Sequence, residues 1–183
     1  MASKTRLTMQ TAYLGLGSNL GDRLAHLREA VKGLQGHDDG RVVAVSPVYE
    51  TEAHTKSPSE SQPDFLNAVV QIEVEGGPEH LLQIAHALER EAGRRRAEQE
   101  QWAPRSLDVD LLAVNDVVRQ TERLTLPHPR LSERRFVLRP WADLAPAFVV
   151  PSPFEETVDA LLQDCPDSTP IRSVGEPLST EID

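Results

Sequence analysis

Cysteine is nearly absent from this 183-residue chain. Cys165 stands alone, which excludes an intrachain disulfide and any metal cage built from several thiolates. Long apolar runs are missing as well: no stretch approaches the ~18–20 residues that cross a bilayer. The opening Met1-Ala-Ser-Lys-Thr-Arg-Leu-Thr lacks the hydrophobic segment of a secretory leader. A cytoplasmic protein with no membrane partner is expected. Aromatic residues supply only 4% of the chain, so the core has to be built from Leu, Val, Ile and Ala. Basic excess is lacking too. A formal net charge of −10 argues against a general nucleic-acid binder, which carries a basic surface. Neither a Walker-type phosphate loop nor a protein-kinase motif set is present, and Gly15-Leu16-Gly17 is too short for a dinucleotide fingerprint.

What is present is ordinary in amount and uneven in placement. Apolar residues make up 39% and charged residues 26%, the balance of a globular domain. Eleven arginines and eight acidic residues lie between Arg90 and Arg139, whereas the remainder holds eight Lys or Arg against twenty-one Asp or Glu. A basic island in an acidic chain suits a small, highly charged anion; it is equally a solvated arginine-rich face.

Residues 11–17 read as a buried strand ending in glycine, and Leu24, Leu27, Val31 and Leu34 then recur at helical spacing. Gly36 to Gly40 break that helix. Residues 41–49 are rich in β-branched residues and predict a second strand, with Pro47 implying an edge or a bulge. Residues 51–63 are polar and form a long loop of the kind that serves as a lid. Alternation over 65–75 puts Leu66, Ala68, Val70, Ile72 and Val74 on one strand face. Gly76-Gly77-Pro78 opens a second helix, with Leu81, Leu82, Ala85, Leu88 and Ala92 as its buried stripe and Gly93 as its cap. A charged loop over 94–104 and a strand over 106–114 follow. The order β-α-β-β-α-β predicts an α+β, ferredoxin-like core with an antiparallel sheet, helices packed on one face and C-terminal additions. Beyond Asn115 a proline-rich stretch and one short helix near Thr157 to Leu162 are expected. Residues 1–10 are expected as a disordered extension, 11–165 as the domain, and 166–183 as a loosely ordered acidic tail.

Asp108-Val109-Asp110 lies inside an otherwise apolar strand. Residues two apart share a face, so both carboxylates project together while Leu107, Val109 and Leu111 pack behind them. Such a pair repels unless a cation sits between, and Mg²⁺ is the oxygen-seeking ion it would hold, singly or as two ions. Alone, the pair is also readable as an acidic surface. Arg105 beside it, with Arg94, Arg95 and Arg96 a dozen residues before, adds guanidiniums able to fork onto phosphate oxygens, which makes a phosphoryl-transfer constellation. His128, flanked by prolines and followed by Arg130, Arg134 and Arg135, is a candidate phosphate contact or an ordinary surface histidine. Asn67 sits mid-strand between apolar residues, where an amide needs partners; its donor and acceptor match the edge of a pterin or purine, or neighbouring backbone.

Four stretches, Leu16-Gly-Ser-Asn-Leu-Gly-Asp22, Gln62-Pro-Asp-Phe-Leu-Asn-Ala68, Trp102-Ala-Pro-Arg-Ser-Leu-Asp-Val-Asp110, and Leu126-Pro-His-Pro-Arg130 with Arg134 and Phe136, stand in the order found in the 6-hydroxymethyl-7,8-dihydropterin pyrophosphokinases, and the chain resembles that family over roughly residues 11–150. The resemblance implies transfer of pyrophosphate from ATP to the pterin, releasing AMP, in folate biosynthesis. It implies Asp108 and Asp110 as ligands of two Mg²⁺ ions, with Arg94 and Arg105 clamping the triphosphate. It implies Glu89, Arg96, Leu111, Arg123, Leu124, Thr125, His128 and Arg134 at ATP, and Thr51, Phe65, Asn67, Trp102 and Phe136 at the pterin. The expected partners are these two small molecules, with no nucleic acid, and the chain is expected to act as a monomer. Ala103 departs from the glycine usual before Pro-Arg. Two other readings of the same fold are a non-catalytic nucleotide- or effector-binding module and an RNA-binding domain; the latter stacks bases on sheet aromatics, which the central strands here lack.

Overall fold

The alternation in the sequence becomes a sheet whose two faces carry different neighbours. The computed structural model describes residues 9–53, 61–93, 103–175, 177 and 178. In chain order the elements are β1 (Gln10–Ser18), α1 (Arg23–Gln35), β2 (Gly40–Val45), β3 (Tyr49–Thr51), β4 (Phe65–Val74), α2 (Pro78–Glu91), β5 (Asp108–Val114), β6 (Arg119–Gln120), β7 (Thr125–Leu126), α3 (Arg135–Leu144), α4 (Val158–Gln163) and β8 (Ile171–Ser173). The main sheet runs β5-β1-β4-β3-β8, with β2 also paired to β4. The pairings among β1 to β5 are antiparallel.

Local chemistry explains the helix ends. The Asp22 carboxylate accepts from the Ala25 N–H at 3.0 Å and satisfies one of the orphan donors that open α1. Pro78 stands in the first turn of α2, where its missing N–H costs nothing. Gly93, with φ +85°, follows the end of α2 in a conformation other residues avoid. Leu27, Ala30, Val31 and Leu34 of α1 and Leu81, Ile84, Ala85 and Leu88 of α2 bury against one sheet face. Beneath them lie Ala12, Leu14 and Leu16 of β1, Leu66, Ala68, Val70, Ile72 and Val74 of β4, and Val109 and Leu111 of β5. The predicted alternation of β4 is the observed one.

Three expectations change. The strand expected over 41–49 is two strands, both on β4, separated at Ser46-Pro47. Pro47 has no N–H to give a ladder, and Ser46 joins the pieces instead: its N–H donates to the Val69 carbonyl (2.9 Å) and its hydroxyl accepts from the Val69 N–H (2.8 Å). The proline-rich stretch after Asn115 contains a full helix, α3, with Pro140 inside it. The residues after Pro166 also do more than trail. Ile171–Ser173 pairs with β3, Arg172 bonds the Glu50 carboxylate, the Val174 N–H donates to the Val48 carbonyl (2.9 Å), and Leu178 is buried.

The opposite sheet face has its own core. Tyr13, Val69 and Leu112 meet Leu131, Val137, Leu138 and Trp141 of the segment leading into and along α3, with Val158 and Leu161 of α4 behind. The Tyr13 ring lies 5.1 Å from Trp141 and 4.7 Å from Phe148, centre to centre. The core helices α1 and α2 therefore share one face, and the C-terminal additions cover part of the other. At one end of that face β1, β4 and β5 carry Gly17, Asn67 and Asp108 side by side.

Candidate active site

Asp108 and Asp110 open β5 with their side chains on the α3 side of the sheet, opposite Val109 and Leu111 in the α1/α2 core. They project together. Each meets an arginine: Arg105 Nη1 donates to Asp108 Oδ2 at 2.9 Å, and Arg134 Nη1 to Asp110 Oδ2 at 3.0 Å. Arg134 immediately precedes α3, and its guanidinium lies 5.7 Å from the centre of the Phe136 ring. Burial, reinforced by the charge of Asp108, pushes the Asp110 carboxyl up to about 6 despite the opposing Arg134. An anion held at a cost beside another anion, on oxygen donors sharing one face, is the arrangement a hard divalent cation relieves.

Across the sheet, Asp108 is in register with Gly17 of β1, and Gly17 with Asn67 of β4. The bare Gly17 backbone forms a floor. A Cβ placed there would lie 3.5 Å from Asn67 Oδ1, 3.6 Å from the Phe65 ring and 3.9 Å from Asp108 Cβ. Asn67 is buried, and its Nδ2 donates to the Thr51 hydroxyl at 2.9 Å. Thr51 thus presents a side chain that fixes the amide's orientation. The Asn67 carbonyl oxygen is turned toward the space above Gly17.

The third group lines the outer margin of β5, the last strand on that side. Glu89, buried on α2, accepts from the Val109 N–H at 2.9 Å. The His128 N–H donates to the Leu112 carbonyl at 2.9 Å. Its Nδ1 accepts from the Arg130 N–H at 3.2 Å, which leaves the ring proton on Nε2. Burial first, then Arg134 and Arg130, lower the His128 pKa to about 4, so the ring is neutral at physiological pH. Leu111 and Leu124 are buried in the α1/α2 core, on the side away from the carboxylates. Thr125 is half-buried in β7, and Arg123 is exposed. Arg94, Arg96 and Trp102, like the neighbouring Arg95, lie outside the described residues.

One organising residue carries no role in the sequence reading. Asn19 is buried, and its carboxamide oxygen accepts from the Arg105 N–H (2.8 Å) while its Nδ2 donates to the Pro63 carbonyl (3.2 Å). Its own N–H donates to the Arg105 carbonyl (3.1 Å). The ends of both long loops are pinned to this side chain. Its signal was its place in Leu16–Asp22, the first of the four stretches.

Comparison with known proteins identifies the family. The family model for 7,8-dihydro-6-hydroxymethylpterin-pyrophosphokinase (HPPK) matches residues 13–146. A 2-amino-4-hydroxy-6-hydroxymethyldihydropteridine pyrophosphokinase of Bacillus subtilis is 43% identical over 133 residues, 73% of this chain and 77% of that protein. One from Methylorubrum extorquens is 43% identical over 142 residues, 78% of this chain and 87% of that protein. A solved structure of Plasmodium falciparum HPPK-DHPS with pterin and p-hydroxybenzoate shares the fold, with a TM-score of 0.64 at 16% identity. The match covers 87% of this chain and 43% of the longer one. With most of its length matched by the family model and by relatives of this identity, the chain belongs to the 7,8-dihydro-6-hydroxymethylpterin-pyrophosphokinase family.

Proposed function

We propose that this chain transfers the pyrophosphoryl group of ATP to the hydroxymethyl oxygen of 6-hydroxymethyl-7,8-dihydropterin. The observation that carries it is the common face of Asp108, Asp110 and Asn67, a metal-type carboxylate pair separated from an oriented amide by the bare Gly17 backbone. The hydroxymethyl oxygen attacks the β-phosphorus, a new C–O–P bond forms, the bond from the β-phosphorus to its bridging oxygen breaks, and AMP leaves with that oxygen. The hydroxyl proton passes to solvent.

Kinase-type transfer from ATP generally needs a divalent metal, and the donor set fits one: two hard carboxylates, one of them disfavoured as a lone anion. Asp108 and Asp110 would hold two Mg²⁺ ions. When bound, these neutralise the triphosphate and polarise the attacked phosphorus. The chain's own groups do the rest. Arg105 and Arg134 occupy the carboxylates in the absence of nucleotide and exchange them for phosphate oxygens when ATP and metal arrive, a swap that bidentate guanidiniums suit. Neutral His128 presents its Nε2 proton as a donor without adding charge. Arg123 and Thr125 reach the nucleotide from the same margin, while Glu89, Leu111 and Leu124 pack behind β5 and hold that margin in place from the core side. Asn67 reads the pterin edge, between Phe65 and Phe136 as apolar covers. Arg94, Arg96 and Trp102 complete the clamp from the second loop. Asn19, by pinning Pro63 and Arg105, sets where both loops begin to close, and closure excludes the water that would hydrolyse ATP.

Phosphorus NMR of ATP, Mg²⁺, the pterin alcohol and the protein tests this reaction. AMP and a pterin diphosphate are expected together. Appearance of ADP, or an unchanged ATP spectrum, would overturn the assignment. The same reading places the enzyme in the cytosol as a single copy, without nucleic-acid or membrane partners; among the described residues no helix is long and apolar enough to cross a membrane. Sedimentation at the mass of a dimer would contradict the single copy.

The raised Asp110 pKa sets a pH dependence. Below about 6 the carboxyl is protonated in the metal-free protein, so a cation has to displace that proton to bind. Apparent Mg²⁺ affinity, measured calorimetrically without nucleotide, should be about tenfold weaker at pH 5 than at pH 7.5. Affinity that is flat across this range would remove Asp110 as a ligand.

A further inference from the structure

A second group of metal-type side chains lies at the other end of the sheet. His37 and Asp39 occupy the turn between α1 and β2, and His80 the first turn of α2. One ligand atom from each lies within 4.8 Å of the others. His80 Nε2 stands 3.3 Å from Asp39 Oδ2, close to the ~3.3–3.4 Å that separates two ligands of a tetrahedral ion with bonds of 2.0–2.1 Å. That nitrogen is shut off from solvent yet has no hydrogen-bond partner of acceptable geometry among the described residues. The His37 and His80 rings stand nearly perpendicular, 6.2 Å apart. His37 is only partly buried, so a rotamer change can bring its ring nitrogen the remaining distance.

The backbone around the group is already fixed. The Glu75 N–H donates to the Asp39 carbonyl (2.6 Å), the Gly40 N–H to the His37 carbonyl (3.2 Å) and the His80 N–H to the Gly77 carbonyl (3.0 Å). Gly76 adopts φ +104°, and a Cβ there would come within 3.2 Å of the His80 ring. Glycine at this position gives the imidazole its room. From Gly17 to Gln10, the residue that pairs with Val74 beside this turn, β1 covers about 24 Å. The group is therefore remote from Asp108 and Asp110.

We infer that His37, Asp39 and His80 form a site for a borderline divalent cation of the zinc type, clamping the α1–β2 turn to the start of α2. Two imidazoles and a carboxylate are a ligand set such ions accept, with water in the fourth position, whereas Mg²⁺ prefers an all-oxygen shell. The strongly acidic chain draws cations toward it.

Equilibrium dialysis against micromolar Zn²⁺ in millimolar Mg²⁺, which keeps the carboxylate pair occupied by Mg²⁺, tests the site. Wild-type protein should retain about one zinc, and H80Q and H37Q at least about tenfold less, the loss expected on removing one of three ligands. D110N should retain zinc as wild type does, and H37Q should turn over ATP and pterin normally. The added zinc should raise the melting temperature of wild type and leave that of H80Q unchanged. Wild type retaining no zinc would reduce the group to a His–Asp ion pair, and retention that survives H37Q/H80Q but is lost in D110N would move the ion to the carboxylate pair. Either result overturns the inference.

Discussion

Asp110→Asn is expected to lose turnover by about three orders of magnitude or more while the metal-free protein melts no lower than wild type, and slightly higher. The two halves of this result have one cause. Asp110 sits partly buried, 3.0 Å from a single guanidinium and on the same strand face as Asp108. Its folded pKa of about 6 exceeds the ordinary carboxyl value of 3.8. The folded chain therefore binds a proton that the unfolded chain releases, and the stability contributed by the neutral carboxyl is lost as pH rises from about 4 through 6. Asparagine keeps the shape and an acceptor for Arg134 while removing the charge, so the apo fold gains at neutral pH. The same change removes a ligand from the metal, and the triphosphate loses the neutralisation on which in-line transfer depends. A kcat within tenfold of wild type would show that the pair does not hold the catalytic ion. A melting temperature several degrees lower would show that the Asp110–Arg134 pair is a structural ion pair instead.

Trp141→Ala should cost about 3–5 kcal/mol, a large part of the 5–15 kcal/mol that holds a domain of this size together. Trp141 is fully buried and contacts the Tyr13 and Phe148 rings between the sheet and α3. Removing it leaves a cavity under the helix whose start carries Arg134 and Phe136, so kcat/KM should fall along with stability. The indole N–H has no partner among the described residues. Trp141→Phe sheds that orphaned donor as well as volume, and should cost clearly less than alanine. Equilibrium urea unfolding checks both; a loss under about 1 kcal/mol for alanine would mean that α3 is not held by this cluster.

Which parts of the molecule were readable from sequence follows from the physics of each segment. The alternation in β4 and the Leu and Val spacing in α1 report burial on one face, and that signal is strong over ten or more residues. Helix α3 is hidden because Pro140 and flanking arginines mask an apolar stripe of Val137, Leu138, Trp141 and Ala142, which only its docking on Tyr13 and Val69 makes helical. Strand β8 is hidden for a similar reason: three residues carry no periodicity, and its pairing with β3 is set by tertiary contact. In the site, the face shared by Asp108 and Asp110 follows from the two-residue period of a strand. The role of Asn19 does not, because it acts on backbone atoms of residues 44 and 86 positions away, and no local pattern encodes such distances. The Thr51 hydroxyl bonded to Asn67 was missed in the same way.

The outer margin of β5 has a consequence for how copies of this chain meet one another in a crowded solution. A terminal strand ordinarily presents a row of amide and carbonyl groups on which a foreign strand can template itself. Here the Glu89 carboxylate occupies the Val109 amide and the His128 amide occupies the Leu112 carbonyl. Residues proposed to receive the nucleotide thus also stopper the sheet against runaway stacking, which restricts how freely evolution can retune ATP recognition without inviting aggregation.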